Sequence, residues 1–170
     1  MGCHDRILLD DWHVVAELAY LSQVRTHTTV LFEEKIKVSI DSDGSAQVVL
    51  SADGSALQSC VQYGFVWACR GSPNREIIHI PEAFEEDRFI VSGGSFAVKV
   101  SGLRVVENFL DMGHFPFVHT GWLGEEPYTE VAPYEVELTD DDEIIATECY
   151  FHQPVASPTA EGGIDVEYKY

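Results

Sequence analysis

One stretch of this 170-residue chain constrains the fold more than any other. Val105, Val106, Phe109, Leu110 and Gly113 recur at steps of three and four residues, with Glu107, Asn108 and Asp111 between them. That spacing lines one face of a helix and cannot be satisfied by a strand. It predicts one main helix over roughly 104–119. Pro116 falls inside that span, where a proline removes a backbone hydrogen bond and kinks the axis. Gly121 and Gly124 end it.

Around this helix the chain reads in period two. Trp12 to Ala16 is a short apolar strand or entry segment, and Thr28 to Phe32 is β-branched and apolar. Lys35 to Ile40 alternates polar and apolar, Asp41-Ser42-Asp43-Gly44 supplies a turn, and Ala46 to Leu50 resumes the strand, a hairpin over 35–50. Tyr63 to Cys69 has the composition of a buried strand. Glu76 to Pro81 is short and extended, and Pro81 to Phe84 begins a single helical turn. Phe89 to Val91 and Ser95 to Val100 are expected to be two strands around Gly93-Gly94. Glu130 to Leu138 and Glu143 to Phe151 form a second hairpin, over 130–151, and Ile164 to Tyr170 is a last strand. The fold class is therefore α+β.

Charge narrows the function. Twenty-nine acidic residues against 10 basic ones leave a formal net charge of −19. Phosphate backbones and anionic membrane surfaces are repelled by such a chain, so neither nucleic acid nor membrane is an expected partner. The run Asp140-Asp141-Asp142 reads as a solvated turn. No apolar run approaches the length that spans a bilayer. The opening Met1-Gly2-Cys3-His4-Asp5-Arg6 is neither a signal peptide nor a myristoylation start, so a cytoplasmic protein is expected. Cys3, Cys60, Cys69 and Cys149 form no C-x-x-C pair and read as reduced thiols.

Two of the seven histidines stand apart. His114 and His119 lie five residues apart around Pro116. In a regular helix their side chains diverge by about 140°. A local departure from regularity between Gly113 and Pro116 is required to bring both imidazoles to one point. Asp111, three residues before His114, is placed to hold that imidazole by its other ring nitrogen. Imidazole suits iron, zinc, copper and nickel, and two His with one carboxylate is the pattern of non-heme Fe(II) oxygenases. The competing reading is a kinked core helix with two hydrogen-bonded histidines. His4, His13, His27, His79 and His152 are given no role.

The surroundings of the pair carry more. Val106 to His119, followed by Thr120-Gly121-Trp122-Leu123-Gly124, resembles the iron-binding helix of Rieske-type ring-hydroxylating oxygenase large subunits, in the vanillate-demethylase and phthalate-oxygenase-like branch. Tyr63 to Trp67 is similar to the strand that leaves the Rieske domain there, and Trp12 to Ala16 to its entry segment. The resemblance implies that His114 and His119 are ligands of a mononuclear Fe(II). It implies that Asp111 links the iron histidine to a Rieske-ligand histidine of a neighbouring subunit, and that Asn108 stands beside the motif. It implies a partial helix-grip, START-like domain over 71–170, after a β-rich remnant of a Rieske-like domain over 1–70.

Two departures from that family shape the expectations. A Rieske cluster needs C-x-H and C-x-x-H, whereas the stretch from Val48 to Tyr63 holds only Cys60 and no histidine, so no [2Fe-2S] cluster is expected. The family's third iron ligand is a carboxylate well downstream of the two histidines. Asp165 and Glu167 match no motif, so a second chain is expected to supply that ligand and the electrons, with homo- or hetero-oligomers the expected state. The implied activity is O2-dependent hydroxylation or demethylation of an aromatic or similar hydrophobic substrate, the isolated chain being inactive. The alternative is a non-catalytic paralogue that binds a ligand or a partner and keeps the iron motif as structure.

Overall fold

The computed structural model describes residues 3–140, 143–155, 157, 159 and 162–170. The start at Met1-Gly2 and two of the three acidic residues of the 140–142 turn, Asp141 and Asp142, lie outside them. The fold is α+β, mostly antiparallel strands with a few short helices, in two compact units, Met1–Ser95 and Phe96–Tyr170.

In the first unit, helices α1 (Arg6–Leu9) and α2 (Leu18–Val24) accompany six strands: β1 (His13–Glu17), β2 (Thr26–Leu31), β3 (Glu34–Ile40), β4 (Ala46–Leu50), β5 (Gln58–Gln62) and β6 (Phe65–Cys69). They make two antiparallel three-stranded sheets, ordered β1-β6-β5 and β2-β3-β4. The expected 35–50 hairpin is β3 with β4, in the register Val38↔Val48. Its alternation sends Ile36 and Val38 inward, and both are fully buried with Val48. Side chains on one face of a strand recur every second residue, so this face builds the core while Lys35 and Lys37 stay at its margin or in water. Strand β6 adds Val66 and Ala68 to the same cluster, and α2 adds Leu21. Neither α2 nor β5 announces itself in the sequence pattern. A 3-10 turn occupies Pro81–Phe84, where one helical turn was expected.

The two strands expected at Phe89–Val91 and Ser95–Val100 do not form. A strand exists only where a neighbour pairs its backbone, and among the described residues nothing pairs with these. Phe89, Val91 and Phe96 are left almost wholly exposed.

In the second unit the single helix expected over 104–119 is replaced by two, α3 (Gly102–Leu110) and α4 (Phe115–Val118). Ser101 caps α3, its Oγ accepting from the Arg104 amide. Asp111 then leaves the helix with φ −88° and ψ 102°. Pro116 does not kink a helix, because it sits in the first turn of a new one, where its missing N–H costs nothing. The expected 130–151 hairpin is shorter than its sequence pattern. β7 (Glu135–Leu138) pairs with β8 (Ile144–Thr147), but Glu148, at φ 59°, turns the chain away. The residues after it, β9 (Cys149–Gln153), pair instead with β10 (Ile164–Tyr168), the expected last strand. Met112, Phe115, Cys149 and Phe151 form the buried cluster of this unit. Among the described residues no helix is long and apolar enough to cross a membrane.

Candidate metal centre

The break between α3 and α4 builds the site. Asp111 is extended, and its Oδ1 accepts from the Gly113 amide at 2.8 Å, a side-chain turn that reverses the chain in two residues. The Phe115 amide donates to the Met112 carbonyl at 3.1 Å and closes the next turn. His114 thus becomes the residue that starts α4, its carbonyl accepting from the Val118 amide at 2.9 Å. His119 is the residue that ends α4, its amide donating to the Phe115 carbonyl at 3.0 Å. The departure from regularity that the pair requires is therefore a full break with a restart, not a widened turn.

Across α4 the two imidazoles meet with ring centroids 5.1 Å apart and planes inclined at 62°. His114 is 14% exposed at its side chain and lies edge-on to Phe115, with centroids 5.0 Å apart, whereas His119 is open to solvent. Asp111 is exposed and brings Oδ2 within 3.4 Å of His114 Nδ1. That contact is within ion-pair reach but at an angle that makes no hydrogen bond. His114 Nδ1 is consequently buried without a hydrogen-bond partner, which is unusual for a buried polar atom. Asn108 is exposed on α3 and bonds to neither histidine.

These residues can be tested against an ion. A metal–nitrogen bond of about 2.1 Å puts an imidazole centroid roughly 3.2 Å from the metal, so two such rings at about a right angle or slightly more stand roughly 5 Å apart. The observed ring separation of 5.1 Å lies in that range. Among the described residues no group of three or more His, Cys, Asp or Glu is gathered closely enough to hold an ion unaided.

In the same unit, Leu110, Met112, Tyr134, Val136, Ala146 and Tyr170 line much of an apolar pocket of about 260 Å³. Burial pushes the Tyr170 phenol up, and the neighbouring Tyr168, Cys149, Tyr134 and Asp111 add to the shift. The Cys149 thiol is raised by burial first and by Glu167 second.

A second cluster was given no role in the sequence. His152 stacks on Tyr128 with centroids 4.0 Å apart, sets Nδ1 3.3 Å from Asp165 and has Nε2 4.0 Å from Glu125. Asp165 is its cross-strand partner in the β9–β10 register, so the signal for that contact was strand pairing and not motif spacing. Gly124 was read only as a helix terminator, yet it is buried against α4.

Residues 98–164, which hold Asn108, Asp111, His114 and His119, match the vanillate O-demethylase oxygenase C-terminal domain. The likeness to Rieske-type oxygenases read from residues 104–124 is borne out. Along its full length the chain is 42% identical, over 171 residues, to a probable methylxanthine N7-demethylase of Pseudomonas sp. (strain TJI-51). It spans 60% of the length of that demethylase.

Proposed function

We propose that this chain is a component of a non-heme iron oxygenase of the demethylase type, with His114 and His119 as iron ligands. The observation that carries the reading is the paired imidazoles, 5.1 Å apart, inside the segment that matches the oxygenase domain. Bound Fe(II) would supply the chemistry of O2 activation. The chain's own residues do the rest. His114 and His119 coordinate as neutral imidazoles, each through one nitrogen. Asp111 lies where it can take the second nitrogen of His114 and fix that ring's tautomer, so it acts as a positioning residue. The apolar lining of the pocket beside Leu110 and Met112 favours a small hydrophobic or aromatic substrate, in keeping with a methylxanthine-type relative.

In this reading residues 71–170 form part of a helix-grip domain and residues 1–70 a β-rich remnant of a Rieske-like domain without a [2Fe-2S] cluster. A third iron ligand and electrons come from polypeptide beyond these 170 residues, within a cytoplasmic oligomer. The second reading is a non-catalytic paralogue. It is favoured by the placement of Asp111, which reaches His114 but, among the described residues, does not complete a set of three metal-holding groups with the two imidazoles.

Anaerobic titration with Fe(II), and with Co(II) as a visible probe, separates the two. Loss of an outer-shell partner of a ligand costs about 10–100-fold in metal affinity. His114→Ala and His119→Ala, which remove ligands outright, are expected to cost at least that. Equal affinity in the wild type and both variants would make the motif inherited structure and favour the paralogue.

A further inference from the structure

The segment after His119 folds straight back onto the helix it has just left. The His119 carbonyl accepts from the Trp122 amide at 3.1 Å and from the Leu123 amide at 3.0 Å. Gly121 turns at φ 77°, a conformation that costs glycine nothing. Its amide donates to the Gly124 carbonyl at 2.8 Å and closes the turn. Gly124 thereby arrives buried against the first residues of α4. A Cβ there would stand 2.8 Å from Pro116 N, 3.0 Å from the Phe115 carbonyl carbon and 3.1 Å from Phe151 Cε1. Two of those atoms are backbone and cannot rotate aside, and the third belongs to a buried core ring, 5.7 Å from that of Phe115.

We propose that Gly124 sets the His114–His119 spacing, so that the turn 119–124 is a clamp and Gly124 a positioning residue for the metal pair. The proposal rests on the reading of the two histidines as ligands. One imidazole stands at each end of α4, and Gly124 abuts the backbone between them. Any displacement of Phe115 and Pro116 away from residue 124 moves His114 relative to His119. A methyl at 124 crowds the Phe115–Pro116 backbone closely enough that it must shift, and that shift changes the 5.1 Å ring separation. Closely packed interiors transmit such shifts without absorbing them.

The test compares Gly124→Ala with Gly163→Ala in the full chain. Gly163 lies in the same unit, and a Cβ there would overlap His152 Nε2 and approach the Gln153 carbonyl oxygen, with no α4 atom among its three nearest neighbours. Three quantities are measured: melting temperature, Co(II) affinity with its visible spectrum, and the imidazole resonances of the metal-free protein by histidine-selective NMR. Gly124→Ala is expected to weaken Co(II) by about tenfold or more, as outer-shell changes do, and to move the His114 and His119 resonances. Gly163→Ala is expected to move the His152 resonance and leave Co(II) affinity unchanged. Equal loss of Co(II) in the two variants, or wild-type Co(II) affinity in a Gly124→Ala protein that merely melts earlier, overturns the proposal. Absence of histidine-dependent Co(II) binding in the wild type would sink the iron reading alone. The clamp is then decided by the resonances, and unmoved His114 and His119 signals in Gly124→Ala overturn it. Should Gly124→Ala not fold, Gly121→Ala opens the same turn without crowding, since its methyl would meet nothing within 4 Å. It is expected to act in the same direction, and unmoved His114 and His119 signals in it overturn the clamp equally.

Discussion

The two units spend their apolar residues differently. In the first, ten buried residues from five strands and α2 form one cluster, so each strand is held by several others. In the second, the buried cluster is Met112, Phe115, Cys149 and Phe151, and neither α3 nor β7 buries a residue. Val106, Phe109 and Leu110, which help draw the helical period in the sequence, are all exposed. A thick core makes geometry redundant, whereas a thin one makes it depend on individual side chains. The histidine pair sits over the thin core, and Phe115, lying between the two histidines in sequence, is also that core's central ring, in contact with Phe151 and Tyr168.

The sharpest way to break this contrast is Phe115→Ala. Truncating a buried phenylalanine costs about 3–5 kcal/mol, and Phe115 is the ring through which α4 packs on Phe151 and Tyr168. Hydrogen exchange is expected to lose protection across α4, β9 and β10 while β2, β3 and β4 keep theirs. Equal loss in those three strands would show that the units do not bury their cores independently. The reciprocal variant, Ile36→Ala, removes a fully buried side chain from the thick core at a cost of about 2–5 kcal/mol. Its exchange signature is expected in β2 to β4 and absent from residues 112–119. Cobalt binding by the pair should survive it, and loss of binding in that variant would contradict the division.

The same contrast explains what could be read from the sequence. Where many strands share a core, alternation is enforced residue by residue, so β3, β4 and β6 stand where the pattern puts them. In the second unit the period was correct but the partners were not. The three- and four-residue steps run on past Leu110, yet the helix stops because the Asp111 side chain captures the Gly113 amide, a local competition that periodicity does not register. The alternation of Glu143 to Phe151 runs through Glu148, where a positive φ hands Cys149 to Phe151 to a different strand. At Phe89–Val91 and Ser95–Val100 composition promised strands, but pairing is a property of two segments and only one was on view. The approach of His114 to His119 was legible because ligand chemistry demanded an irregular backbone there. The clamp was not, because a glycine's use as a contact surface depends on what reaches it.

The smallest effect concerns how two carboxylates, one in each unit, meet their partners. Arg70 grips Glu34 through two bonds, Nε to Oε2 at 2.5 Å and Nη2 to Oε1 at 3.2 Å, while Asp111 meets His114 without a hydrogen bond. The Arg70 hydrogen bond holds the Glu34 carboxyl below its ordinary value, against a smaller opposing push from burial. A carboxylate lowered in the folded state binds its proton less readily there than in the unfolded chain. Its stabilisation is therefore complete above the unfolded value, near pH 4.3, and is lost as pH falls through the lower folded value. Both side chains are more than a third exposed, so solvent screening keeps the worth of the pair below about 1 kcal/mol. Glu34→Gln is expected to lower the melting temperature slightly at pH 6 to 7, with the gap to wild type closing as the pH is taken toward 3. High salt is expected to narrow the gap at neutral pH as well. A gap that widens on acidification would mean that glutamine disturbs packing at residue 34 and that the ion pair is not what holds β3 to the end of β6.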